Sequence, residues 1–154
     1  MSSTTTKNEQ LWFGDALLTI HATHAQGISM IESLTPYGYS PPLHIHHAED
    51  ELFRVLDGEL ALRVGDSELR LAAGETAVAP KGVAHTFRVE SPEGARALVV
   101  TTEGDFERMV RSLSRPAEQP ELPTPSGPPT PEQAEAFAAV CRENRLEIVG
   151  PPLS

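Results

Sequence analysis

At 154 residues the chain fits one compact domain that can bury a core without disulfide staples. Twelve basic against 22 acidic residues leave a net charge of −10, a surface that repels phosphate backbones and anionic lipid, so neither nucleic acid nor membrane is an expected partner. Cys141 is the only cysteine, so no intrachain disulfide can form and a reducing, cytoplasmic setting is expected.

The first ten residues are polar, lack the apolar stretch of a signal peptide and read as a disordered tail. No apolar run approaches the roughly 18–20 residues of a membrane helix. From Leu11 to Thr102, short runs of β formers alternate with turn signals. Ala16–Thr23 and Gly27–Leu34 read as two strands joined by a short loop. Glu51–Leu56 is followed by Asp57-Gly58, a strong hairpin signal. Leu60, Leu62 and Val64 then alternate with Ala61 and Arg63, which predicts one buried face. Gly65-Asp66 turns the chain into Glu68–Leu71, and Thr76–Ala79, Ala84–Val89 and Ala95–Thr101 complete the set. Strands this short and this regularly spaced predict an all-β antiparallel sandwich or barrel.

The pattern changes after Thr102. Phe106, Met109, Val110 and Leu113 recur at helical spacing, so residues 103–115 form a helix packed on the barrel. Residues 116–130 form a Pro-rich tether. Thr130-Pro131-Glu132-Gln133 then opens a second helix, with Thr as N-cap, Pro at the first helical position and Gln at the third. Residues 131–154 read as this helix and a tail, packed on the outside of the barrel or against a partner copy, with a mobile lid as the competing reading.

Two blocks carry the chemistry. In the first, His44 and His46 are two residues apart, which on a strand puts both on one face. Glu51 has the opposite parity, so His47–Asp50 must turn the chain before it. His47, Glu49 and Asp50 are rival ligands by residue type, and the reading places them in a solvated turn. The second block brings His85. Two ligands from one strand, Glu51 from its hairpin partner and His85 from across the barrel would surround one metal ion and leave open positions. His21 and His24 are assigned no role. Tyr37 and Tyr39 lie just before the ligand strand; Tyr39 is the candidate general acid, against rim packing for both. Met30, Phe53, Leu62, Phe87 and Leu98 are candidate pocket residues, equally readable as barrel core.

These blocks resemble the two motifs of the cupin superfamily. Gly38, His44, His46, Glu51 and Gly58 match the first throughout, and Gly74, Pro80, Gly82 and His85 match the second. Val89 stands where the family has an asparagine, a position that is not a metal ligand. The resemblance covers residues 11–102 and implies a cupin-type antiparallel jelly-roll β-barrel with a C-terminal helical extension, often dimerised. It also implies one divalent ion per chain, with Ni, Mn, Fe, Co and Zn all compatible with this donor set. A narrower resemblance, to single-domain bacterial quercetin 2,3-dioxygenase-like proteins, is carried by Asp105-Phe106-Glu107-Arg108, Thr130–Gln133 and Ile148–Pro152. It implies a dioxygenase that cleaves a flavonol or related enol with O₂, with Glu51 as base. The alternatives are a non-redox isomerase, cyclase or lyase acting on a small carbonyl compound, and a non-enzymatic metal or small-ligand binder.

Overall fold

The computed structural model describes residues 8–154. Its strands form two antiparallel sheets. The larger contains β1 (Glu9–Phe13), β2 (Ala16–Ala22), β3 (Ser29–Thr35), β5 (Glu51–Asp57), β8 (Thr76–Ala79), β10 (Ala95–Thr101) and the two-residue β11 (Arg115–Pro116). The smaller contains β4 (Pro42–His46), β6 (Glu59–Val64), β7 (Ser67–Ala72), β9 (His85–Val89) and β12 (Leu146–Pro152). The spatial orders are β11-β1-β2-β3-β10-β5-β8 and β12-β4-β9-β6-β7. This is the jelly-roll arrangement expected from the strand spacing.

Alternation along the strands builds the core. In β3 and β10 every second residue is buried, so Ile31 and Ser33 face inward with Ala97 and Val99. One cluster, around Phe53, Val55, Leu60, Leu62 and Val89, fills the space between the sheets. A second joins Leu11, Leu18, Ile20 and Ile31 to the two helices, α1 (Asp105–Leu113) and α2 (Pro131–Glu143). Met109 and Val110 of α1, Cys141 of α2 and Leu146 of β12 pack with Leu11 of β1 and Leu18 and Ile20 of β2. No helix among the described residues is long and apolar enough to cross a membrane.

Four expectations need correction. The disordered tail was placed too far along: Glu9 and Gln10 already belong to β1, paired with Ile20 and Thr19, while residues 1–7 lie outside the described residues. Asp57-Gly58 does not close a hairpin, because β5 pairs with β8 and β10 in one sheet and β6 with β7 and β9 in the other. Gly58 instead carries the crossing between layers. Its φ of 86° is left-handed, and a Cβ there would sit 2.6 Å from the carbonyl oxygen of Gly94. The C-terminal tail is a strand: β12 pairs along β4, with Leu146 opposite His46 and Ile148 opposite His44. Its prolines are tolerated because β12 is an edge strand. Among the pocket candidates, Leu62 packs inside the barrel core, and Met30 and Leu98 lie on the outer face of the larger sheet, opposite in parity to Ile31 and Val99.

The tether lies along the β1–β2 hairpin. Trp12 Nε1 donates to the carbonyl of Glu121 at 2.8 Å, and Ser126 donates from its backbone and hydroxyl to Asp15. Thr130 caps α2 as its sequence implies, in a reciprocal capping box with Gln133. The helix lies against the second core cluster, contributing Phe137, Val140 and Cys141, rather than on the outside of the barrel.

Candidate metal centre

Alternation in β4 turns His44 and His46 to the same side, and the β4–β9 pairing sets His44 directly opposite His85. Glu51, the first residue of β5, approaches from the other sheet. One donor atom from each of these four residues lies within 4.8 Å of all the others. His46, Glu51 and His85 are buried and His44 is half-buried. The turn expected between His46 and Glu51 is present, but the two sheets exchange the expected origins. His85 comes from the strand beside β4, and Glu51 comes from across the barrel.

Each imidazole is held by Nδ1. That of His44 is 2.7 Å from the carbonyl oxygen of Pro42, that of His85 is 3.3 Å from the carbonyl of Val83, and that of His46 is 3.1 Å from Glu49 Oε1. With Nδ1–H donating outward, each ring presents Nε2 inward. Glu51 Oε2 is 2.9 Å from Nε2 of His46 and 2.7 Å from Nε2 of His85. His46 Nε2 is nevertheless buried without a hydrogen bond of acceptable geometry. Three converging imidazole nitrogens, one carboxylate and a buried nitrogen without a hydrogen bond fit a divalent metal ion.

The charges are those of a site prepared for a cation. Burial, then the neighbouring His85, pushes His44 down to about 4. Burial also opposes the charged form of His46, but Glu51 and Glu49 outweigh it and raise this imidazole to about 10. Burial likewise works against the Glu51 carboxylate, yet His46 and His85 hold it well below the usual carboxylate range.

The rival residues separate. His47 is exposed and its Nε2 is 2.8 Å from Glu147. Asp50 accepts the backbone N–H of Lys81 and so ties the first block to the Pro80-Lys81-Gly82 turn of the second. Glu49 does not lie in a solvated turn; it is 0% exposed beneath His46. Its burial was not legible because the loop's covering element, α1, comes some fifty residues later. His21 pairs with Glu32 at 3.0 Å, and His24 lies 4.0 Å from Glu103. Tyr37 is exposed, with Arg88 over its ring.

Tyr39 does reach the interior, stacked on Phe87 at 6.0 Å. Burial, with a smaller contribution from Asp15, raises its phenol to about 12. Between pH 10 and 12 the folded protein therefore keeps a proton that the unfolded chain releases, and stability falls as pH rises through that window, by about 1.4 kcal/mol per unit. Ultraviolet phenolate titration is expected to show one of the two tyrosines ionising only near pH 12.

An apolar cavity of about 80 Å³ runs from His44 and Glu51 to the inner side of α2 and β12. Of the expected pocket residues, Phe53 and Phe87 line it, with Tyr39; its far end is closed by Phe137, Cys141 and Ile148. The C-terminal contribution was not expected, because a Pro-rich gap hides the register in which the tail returns to β4. Among the described residues Glu51 is the one acidic group in the lining, and no lysine or arginine lines it.

Comparison with known proteins agrees with this architecture. A family profile described as "Cupin domain" matches residues 30–101, the segment that holds all four candidate ligands. Quercetin 2,3-dioxygenase of Bacillus subtilis is 27% identical over 120 residues, covering 76% of this chain and 35% of that protein. An uncharacterised protein of Streptomyces coelicolor is 43% identical over 54 residues, covering 35% of this chain and 50% of its own. The chain thus spans between a third and a half of the length of these curated relatives. The crystal structure of KdgF from Halomonas sp. superposes with a TM-score of 0.58 at 17% identity, over 70% of this chain and 99% of that one. Taken with the two motifs and the jelly-roll sheets, these matches show that the chain belongs to the cupin superfamily.

Proposed function

We propose that this protein is a metal-dependent dioxygenase acting with O₂ on a neutral, largely apolar enol, of which a flavonol is one example. The observation that carries the reading is the cavity: apolar walls lead to the donor cluster, and no lysine or arginine among the described residues lines them. The partial similarity to a quercetin 2,3-dioxygenase supports the same reaction class. A bound divalent ion would supply Lewis acidity that favours a deprotonated substrate hydroxyl. His44, His46, His85 and Glu51 would hold it. Glu51, which lines the cavity beside the imidazole cluster, is the carboxylate placed to take the substrate proton. Tyr39 stays neutral at physiological pH and can donate a hydrogen bond to a substrate oxygen. Phe53, Phe87 and Phe106 keep water from the reacting atoms.

The size of the cavity favours a second reading. At about 80 Å³ it is smaller than the roughly 300–1,000 Å³ typical of pockets for drug-sized ligands, and so suits a small carbonyl compound and a non-redox isomerase, cyclase or lyase reaction. A flavonol would require α2 to move outward. Metal analysis of protein purified without chelator is expected to give about one divalent ion per chain, and oxygen-electrode assays with flavonols and smaller enols are expected to show uptake coupled to substrate loss. Turnover that persists unchanged after oxygen removal would transfer the assignment to the non-redox reading.

A further inference from the structure

We infer that Glu49 is a positioning residue of the metal centre, holding His46 by Nδ1 so that Nε2 is aimed at the ion. The inference rests on the metal-site reading above and adds to it a residue outside the four donors. The three histidines are not held alike. His44 and His85 lean on neutral backbone carbonyls, whereas His46 leans on a carboxylate. A carboxylate acceptor makes the imidazole a stronger donor and fixes its tautomer.

The carboxylate is itself fixed. Its Oε1 also accepts the backbone N–H of Phe106 at 2.8 Å, in the first turn of α1, where N–H groups have no helical partner. Gly104, the N-cap of α1, supplies no side-chain cap, so Glu49 fills that place from a distant loop. The Phe106 ring packs against His46 at 5.9 Å between centroids. His46 is therefore clamped from three directions: by its own strand, by α1 and by Glu49.

Capping alone does not account for a carboxylate. A neutral amide could take the Phe106 N–H without burying a charge. Glu49 is 0% exposed, and its second oxygen, Oε2, is buried without a partner. A buried carboxylate oxygen without a partner is costly. A carboxylate is favoured over an amide there when the imidazole it holds carries a positive charge, from a proton or a metal ion, on its other nitrogen.

The test uses the full chain, stripped of metal, and Zn²⁺ alone as the probe. Wild type and Glu49→Gln are compared by chelator competition and by thermal unfolding of the stripped protein. Glutamine keeps an oxygen for both the Phe106 N–H and His46 Nδ1, but removes the charge. Zn²⁺ affinity is expected to fall roughly 10–100-fold, a larger effect than any change in the stability of the stripped variant. Equal affinity in the two proteins overturns the inference, as does a weakening matched by an equal loss of stripped-protein stability. In Zn²⁺-loaded wild type, ¹⁵N-histidine NMR gives a readout that needs no variant. His46 is expected to be metallated at Nε2, with a slowly exchanging Nδ1–H downfield of those of His44 and His85; ligation through Nδ1 overturns the inference. If wild type itself takes up no Zn²⁺, the metal reading falls and this inference with it. Uptake by wild type with unchanged uptake by E49Q removes the role of Glu49 alone.

Discussion

Replacing His85 with alanine is expected to weaken metal binding by about 60- to 700-fold and to abolish turnover. His85 lies at the convergence of the site: 1% exposed, opposite His44 in register, with Nε2 2.7 Å from Glu51. If a four-donor site holds its ion with about 10–16 kcal/mol, as structural zinc sites do, an even share is roughly 2.5–4 kcal/mol per donor, which at 1.4 kcal/mol per tenfold is about 60- to 700-fold. This exceeds the effect expected for Glu49, which acts through His46 and not on the ion. Isothermal titration of the stripped variant with Zn²⁺ and far-UV circular dichroism together check the result. A folded variant that retains wild-type metal affinity would show that the cluster is not the metal site. Tightness of the site makes the experiment interpretable, because among the described residues the converging cluster contains only His44, His46, Glu51 and His85.

Replacing Leu146 with alanine is expected to destabilise the protein by about 2–5 kcal/mol, the range for a buried leucine truncated to alanine. That is a large share of the roughly 5–15 kcal/mol available to a domain. Leu146 is 3% exposed, packs in the cluster that joins the larger sheet to both helices, and pairs opposite His46. Val149, 43% exposed on the same strand, is the matched control, and its alanine variant should stay within about 0.5 kcal/mol of wild type. Urea unfolding with an unchanged slope checks both. A Leu146→Ala loss below 1 kcal/mol would mean that the C-terminal strand is dispensable. Since β12 runs beside the ligand strand and Ile148 and Leu146 line the cavity, the same truncation should also enlarge the far end of the pocket.

The donor set was legible because it depends on short-range facts. The alternation of a strand puts His44 and His46 on one face, and the motif glycines mark the turns that bound the ligand strands. Helix α2 was legible for the same reason: a capping box is written within four residues. The long-range choices were not. Asp57-Gly58 has hairpin chemistry, yet the chain crosses between sheets there, because pairing partners are chosen by the whole barrel. Met30 and Leu98 carry the right side chains for a pocket and the wrong parity.

By itself, then, the amino-acid sequence determined an acidic, antiparallel β protein with four candidate metal donors and two helices after the barrel, since composition, period-two alternation and motif spacing are local properties of the chain. Only the tertiary structure decided that Glu51 faces His44 and His85 from the opposite sheet, that Glu49 is buried under α1, and that residues 146–152 return to brace the ligand strand. Those arrangements depend on segments fifty to a hundred residues apart burying one another's apolar faces, and no spacing rule along the chain encodes which face meets which.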